Sequence, residues 1–170
     1  MAENDPARTT TPTKVADLTI SSASTDGINA AGETVYNNEN FTKFYGKYKS
    51  STKLKSIIKK WATWVVGLGL TEESKTEVLE RISGSGEDTI LSVLWNMLII
   101  KKVNGDAYAE IIRDGTELIN LKPLGPSRIT VVFDEQGIIT RYEQVNKSGK
   151  KKGSKKFTTQ EIFHLTKDRV

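Results

Sequence analysis

The chain has 170 residues, of which 36% are hydrophobic and none is cysteine. That length and apolar content suffice for one ordinary hydrophobic core, with or without a long tail. The lack of thiols excludes disulfides and thiolate metal sites. A formal charge of +4 and an isoelectric point near 9.2 admit a polyanionic partner such as nucleic acid, because clustered lysines recruit phosphate by releasing counterions.

The first 40 residues are rich in Thr, Ser, Ala, Asn and Asp and poor in apolar side chains. Such a segment buries too little apolar area to offset the entropy cost of ordering, so we expect residues 1–40 to form a flexible arm. Met1 to Ala16 contains no apolar stretch, which is unlike a secretory signal or a transit peptide. The arm has one apolar group, formed by Val15, Leu18 and Ile20. This group could anchor on a neighbouring subunit, although nothing in the sequence requires it.

Three helices are predicted after the arm. The first runs from Ser51 to the Gly67-Leu68-Gly69 stop, the second from Thr71 to Ile82, and the third from about Asp88 to Lys102. The third carries apolar residues around most of its circumference and should be the most buried element. The apolar runs Trp61 to Leu70 and Ile90 to Ile100 are too short to span a bilayer, so no membrane partner is expected. The first helix is amphipathic through residues at helical spacing: Leu54, Ile57, Ile58, Trp61 and Val65.

After Gly105 the apolar period shifts towards two, which is typical of strands. Asp114-Gly115 predicts a two-residue hairpin between the first two strands, and Asp134 to Gly137 predicts the turn between the third and fourth. Helices followed by a mainly antiparallel, meandering sheet indicate one α+β domain over residues 41–170. Five strands are expected, near Ala107 to Arg113, Glu117 to Lys122, Arg128 to Phe133, Ile138 to Asn146 and Phe157 to Leu165.

The stretch Gly105 to Arg113, followed by Leu121 to Ile129, resembles the portal proteins of tailed phages. In that family a long apolar helix ends at a Gly-Asp turn, a strand carries an aromatic-x-Glu pattern, and a second strand reaches a Leu-x-Pro-Leu-x-Pro corner. All three parts occur here in that order. Trp64 to Gly69 and Glu161 to Leu165 are also similar to portal segments. Glycine and proline at such positions set backbone angles and supply no nucleophile or base. The structural turn residues are therefore Gly105, Asp106, Asp114, Gly115, Pro123, Gly125 and Pro126.

This resemblance covers about Tyr36 to Arg169 and implies the N-terminal wing portion of a portal protein, without the family's stem and clip regions. It implies a closed homo-oligomeric ring, dodecameric in the family, at a unique capsid vertex of a virion assembled in the host cytoplasm. Double-stranded genomic DNA would pass through the ring during packaging and ejection. The implied protein partners are the major capsid protein, a head-tail adaptor and the terminase, which would supply ATP hydrolysis.

The inventory of reactive groups predicts no enzymatic activity and no cofactor. His164 is the only histidine, and a lone histidine in an apolar strand is typically a hydrogen-bonded core or rim residue. No Gly-x-Ser-x-Gly elbow accompanies it. Gly67-x-Gly69 lacks a third glycine and follows a helix, and Ser83 to Gly86 lacks a following Lys-Thr, so neither predicts a nucleotide loop. No metal site is expected either.

A run of lysines spaced by glycine and serine follows the fourth strand. It suits a solvated hairpin tip that discourages edge pairing, or else a contact with DNA or another partner. If the run contacts DNA, the alternative function is a free-standing basic nucleic-acid-binding module. The run comprises Lys147, Lys150, Lys151, Lys152, Lys155 and Lys156.

Overall fold

The computed structural model describes residues 26–28, 32–71, 76–145 and 155–166, and over these ranges the chain forms four α-helices and eight strands. The strands pair only with antiparallel neighbours, and the α+β class predicted from the sequence is confirmed. The helices are α1 (Phe41–Ser50), α2 (Thr52–Val66), α3 (Glu77–Glu80) and α4 (Ile90–Asn104). The strands are β1 (Asp26–Ile28), β2 (Thr34–Asn37), β3 (Ala107–Asp114), β4 (Glu117–Leu124), β5 (Ile129–Phe133), β6 (Ile139–Gln144), β7 (Lys155–Thr158) and β8 (Ile162–Leu165).

The strands form two sheets where a single meander was expected. The large sheet has the order β1-β2-β5-β6-β7, and the small sheet has the order β4-β3-β8. The predicted strand Phe157 to Leu165 breaks between them, because the Glu161 carboxylate accepts hydrogen bonds from the Thr158 amide at 2.7 Å and hydroxyl at 2.9 Å. Both hydrogen bonds lower the pKa of Glu161, and the one from the Thr158 backbone amide has the larger effect. The turn sends the second half of the predicted strand into the other sheet.

The small sheet is the middle layer of the fold. Side chains alternate along a strand, so Tyr108 of β3 faces the large sheet while its neighbours Ala107 and Ala109 face α4. The core between the sheets includes Leu124, Ile129, Val131, Phe133, Tyr142, Phe157 and Ile162. The core beneath α4 includes Ile82, Ile90, Val93, Met97 and Leu121. Helices α1 and α2 pack against α4 through a third core of Tyr48, Ile58, Ala62 and Ile99.

The boundary of the predicted arm at residue 40 is too late. Residues 34–37 form β2, which pairs with β5, and residues 26–28 pair with β2 in turn. Val35 is buried, and the Arg141 guanidinium contacts both oxygens of the Glu33 carboxylate at 2.5 and 2.6 Å. Hydrogen bonds to Glu33, and then to Glu143, raise the pKa of Arg141. A mostly polar segment is thus ordered by strand pairing, one ion pair and the burial of Val35. Residues 1–25 and 29–31 lie outside the described residues.

The helices differ from the prediction at three places. Helix α1 was not predicted, although its aromatic residues Phe41, Phe44, Tyr45 and Tyr48 recur at helical spacing. Of the predicted helix from Thr71 to Ile82, only Glu77–Glu80 is helical among the described residues. The predicted third helix is shifted by two residues at each end. It starts at Ile90, because Thr89 and Ser92 form a reciprocal capping box.

None of the helices in the described part of the chain is long and apolar enough to cross a membrane.

Candidate functional site

The turn residues predicted from the sequence lie at the ends of the small sheet. Gly105 ends α4 with a φ of 93°, and its amide donates to the Lys101 carbonyl at 2.7 Å. Gly115 has a φ of 59° in the loop between β3 and β4. Pro123 lies in β4, an edge strand of the small sheet, where its missing N–H is tolerated. Gly125 has an ordinary φ of −72° and leads into a 3₁₀ turn that starts at the buried Pro126. Asp114 is the last residue of β3 and pairs with Glu117.

Asp106 contacts the sole histidine. Its Oδ1 is 3.0 Å from His164 Nε2, and His164 Nδ1 is 3.1 Å from the Tyr142 hydroxyl. The imidazole also stacks on the Tyr108 ring, with the ring centroids 4.5 Å apart. Both the aspartate and histidine side chains are more than nine-tenths buried. The arrangement joins β8, β6 and the start of β3, so these side chains link the two sheets in the core.

The lysine run is described only in part. Lys147, Lys150, Lys151 and Lys152 lie outside the described residues. Lys155 Nζ forms an ion pair with Glu110 Oε1, and Lys156 Nζ lies 3.8 Å from Glu143 Oε1. These two lysines are therefore partly neutralised by acids of the sheets, which weakens their attraction for phosphate.

A second basic segment lies in α1 and α2, and it was not among the functional residues predicted from the sequence. Residues 41–66 contain seven lysines and no acid. Within the described ranges, none of the seven forms an ion pair with a carboxylate. Counting charge by element rather than by run would have revealed this segment. The lysines are Lys43, Lys47, Lys49, Lys53, Lys55, Lys59 and Lys60.

Helix α2 also exposes an apolar stripe. Ile57 is 66% exposed, Trp64 is 72% exposed and Leu68, just beyond the helix, is 99% exposed. Leu54 and Val65 complete the stripe, since residues three, four and seven apart lie on one side of a helix. The spacing of the apolar residues predicts several of these side chains on the buried side. Of the predicted face, α2 fully buries only Ile58, together with Ala62, which leaves the stripe available to a partner.

A cleft of about 440 Å³ lies on the opposite side of α2 from the apolar stripe, beyond the buried residues Ile58 and Ala62. The 100° rotation per helical residue puts Lys55 and Lys59 on this side, away from the apolar stripe. Lys49 Nζ lies 5.0 Å from the Tyr45 ring centroid, and Lys59 Nζ lies 5.7 Å from the Trp95 ring. We call this the lysine cleft, and its walls are Tyr45, Tyr48, Lys49, Lys55, Lys59, Trp95, Asn96, Ile99 and Ile100.

The aromatic walls of the lysine cleft are fixed from behind. Trp95 Nε1 donates to Thr63 Oγ1 at 3.2 Å, and Tyr45 stacks on Tyr48 with centroids 5.7 Å apart. Burial, and then the nearby Tyr45, raise the pKa of the Tyr48 phenol, so Tyr48 stays neutral near pH 7. The cleft therefore presents three ammonium groups, two of them beside aromatic rings, and this local positive charge can attract an anionic group.

An acidic counterpart lies around α3 and the turn that follows it. Residues 77–88 carry four acids and one arginine, and the acids are exposed. We call the four acids the acidic patch: Glu77, Glu80, Glu87 and Asp88. The turn is held by the Asn120 side chain of β4, whose oxygen accepts from the amides of Ser83 at 3.2 Å and Gly84 at 2.9 Å. Its amide nitrogen donates to the Gly84 carbonyl at 2.9 Å.

The described residues contain no group of three or more histidine, aspartate or glutamate side chains that could hold a metal ion.

Comparison with known proteins finds similarity at the level of fold. No family model and no curated protein sequence matches the chain. Among solved structures, a chain in the neck of an empty gene transfer agent (GTA) particle, computed with C6 symmetry, matches with a TM-score of 0.60 and 13% identity. The match covers 78% of this chain and 37% of that one. A chain in the virion of a native GTA particle matches with a TM-score of 0.44 and 18% identity, covering 55% and 26% of the two chains.

The chain thus spans little more than a third of the neck chain that it matches over most of its own length. At this identity the likeness establishes a shared arrangement of helices and sheets.

Proposed function

We propose that the chain is a structural subunit of a portal ring in a phage-like particle, with no enzymatic activity of its own. The ring would occupy a unique capsid vertex and form part of the channel through which genomic DNA is packaged and ejected. Its neighbours would be other copies of the chain, the major capsid protein, a head-tail adaptor and the terminase. A dodecamer is the expected size, and a ring of twelve also obeys the six-fold symmetry used for the neck structure with the similar fold.

The observation that carries this proposal is the apolar stripe of α2 on a fold similar to that of a particle-neck chain. A closed ring requires each subunit to offer two different, complementary surfaces. Exposed Trp64 and Ile57 are the kind of side chains that form the centre of such a contact, since aromatic residues are enriched in interface cores. The Gly105 to Arg113 and Leu121 to Ile129 motifs, which resemble portal segments, support the same assignment.

The rival function, a nucleic-acid-binding module using the Lys147 to Lys156 hairpin, is less well supported. Lys155 and Lys156 lie near Glu110 and Glu143. A phosphate would have to compete with these carboxylates for the ammonium groups.

The test is the assembly of stripe variants. We expect the double variant Ile57→Ser, Trp64→Ser to lose self-association by on the order of a hundredfold, because truncating interface-core residues costs about 2 kcal/mol or more. Sedimentation velocity over a range of concentrations measures this. The matched control is Ile138→Ser, which removes an equally exposed isoleucine (64%) from the turn before β6 and should leave assembly unchanged. Equal assembly of the double variant and the control would refute the role of the stripe.

A further inference from the structure

We infer that the lysine cleft of one subunit receives the acidic patch of a second copy of this chain. This inference rests on the proposed ring and assigns a second, charged contact to it. It concerns a surface on the opposite side of α2 from the apolar stripe.

The first support is the separation of charge within the chain. Residues 41–66 carry seven lysines without an acid, while residues 77–88 carry four acids with one arginine. One subunit thus offers both a positive and a negative surface on different elements. A head-to-tail contact between copies matches such a distribution, because it brings unlike surfaces together at every interface.

The second support is the availability of both sets of charges. Lys49, Lys55 and Lys59 are exposed, and within the described ranges no acid lies within ion-pair distance of them. In the acidic patch, Glu77 has a partner, Arg81, at 3.7 Å, but its side chain remains 86% exposed. Arg81 also contacts Glu117 at 3.3 Å, so it is shared and leaves the patch with excess negative charge.

The third support is that both surfaces are pre-formed. Trp95 is held by Thr63, so the wall of the cleft does not have to be ordered on binding. Asn120 fixes the Ser83-Gly84 turn through three hydrogen bonds, and a Cβ on Gly84 would lie only 2.8 Å from an Asp88 oxygen. Surfaces that are rigid before contact lose less entropy on association.

A protein partner fits the cleft better than a nucleic-acid backbone. The cleft combines its lysines with Tyr45, Tyr48, Ile99 and Ile100, whereas surfaces that bind nucleic acid are more polar. Carboxylates that project from a short helix and from the turn after it can form ion pairs with the ammonium groups of the cleft.

Charge reversal tests the inference. The variant Lys49→Glu, Lys55→Glu, Lys59→Glu should lose self-association by at least about a hundredfold, because it puts acid against acid at every interface. The variant Glu77→Lys, Glu80→Lys, Glu87→Lys should fail in the same way. An equimolar mixture of the two should assemble again, with the two variants alternating around the ring. Sedimentation velocity measures all three samples.

Two controls separate the cleft from general charge effects. Lys43→Glu, Lys47→Glu, Lys53→Glu makes the same change of charge on the same helices outside the cleft, and should weaken assembly by less than about tenfold. The neutral variant Lys49→Gln, Lys55→Gln, Lys59→Gln avoids like-charge repulsion, and should weaken assembly and flatten its salt dependence. Melting temperatures of every variant report on folding.

The outcomes separate this inference from the proposed function. If the unmodified chain forms rings and the reversed variants form them equally well, or if the mixture does not recover, the inference is wrong and the ring stands. If cleft reversal spares assembly but abolishes binding of a short DNA duplex, the cleft is a nucleic-acid site and the inference is again wrong. If the unmodified chain remains monomeric at every concentration, both the inference and the proposed ring fail.

Discussion

Gly105 sets the direction in which the chain leaves α4 for the small sheet. Its φ of 93° lies in a region that side-chain-bearing residues rarely adopt, and a Cβ added there would meet nothing within 4 Å. The cost of a substitution therefore comes from the backbone alone. We expect Gly105→Val to destabilise the fold by about 1 to 3 kcal/mol, measured by urea denaturation.

The matched control for this prediction is Gly46→Ala. Gly46 lies inside α1, where an added Cβ also has open space but φ is helical. Alanine should stabilise the chain by about 0.5 to 1 kcal/mol at this position. Equal effects at Gly105 and Gly46 would show that the positive φ does not limit stability.

Asn120 is the residue that joins the turn after α3 to β4. Its side chain forms hydrogen bonds with the backbone amides of Ser83 and Gly84 and with the Gly84 carbonyl. Ser83 is half-buried and Gly84 is buried. Asn120→Ala should cost about 2 kcal/mol, because it leaves buried backbone groups without partners. Asn120→Asp keeps the acceptor but loses the donor, so a smaller loss is expected. A thermal melt unchanged in both variants would contradict this role.

At the scale of elements, the turn between β7 and β8 decides which sheet each strand joins. The Glu161 carboxylate bonds the Thr158 amide and hydroxyl, and these bonds hold its pKa below the ordinary value of 4.5. A group whose pKa is lowered by folding stabilises the fold above its unfolded pKa. That contribution is lost as the pH falls through the lower, folded value.

Glu161→Gln tests this coupling. The melting temperature of the variant should lie below that of the unmodified chain at pH 6 to 7, and the difference should shrink as the pH falls below about 4.5. Glu135→Gln removes a charge from another exposed turn and makes a suitable control, because Glu135 forms no hydrogen bond within the described residues. A constant difference between Glu161→Gln and the unmodified chain across this pH range would contradict the prediction.

The elements also show what local sequence could predict. Period-two alternation located β3 to β6 within about two residues, and apolar content identified α4. The order of strands within the sheets was not predictable, because β2 joins β5 through contacts about 95 residues apart in sequence. The break at Thr158 depends on one carboxylate, which leaves no periodic signal. Helix α1 was missed although Phe41, Phe44, Tyr45 and Tyr48 recur at helical spacing, so attention to aromatic as well as aliphatic residues would have predicted it.

At the scale of the whole molecule, the candidate surfaces result from packing. The spacing predicts one apolar face that includes Leu54, Ile57, Ile58 and Val65, yet of these four the structure buries only Ile58, together with Ala62. The choice depends on where α1 and α4 contact α2, which spacing alone does not determine. The lysine cleft likewise requires three helices to meet. The sequence showed its lysines but did not show that Trp95 and Tyr45 would lie against them.

The central claim, that copies of this chain close into a ring, predicts the number of subunits in a particle. Native mass spectrometry of the unmodified chain counts them directly. We predict a single dominant closed species, with twelve copies as the expected number, whose population falls as salt concentration rises because charged contacts contribute to it. A spectrum with only monomers or dimers at every protein concentration would contradict the claim.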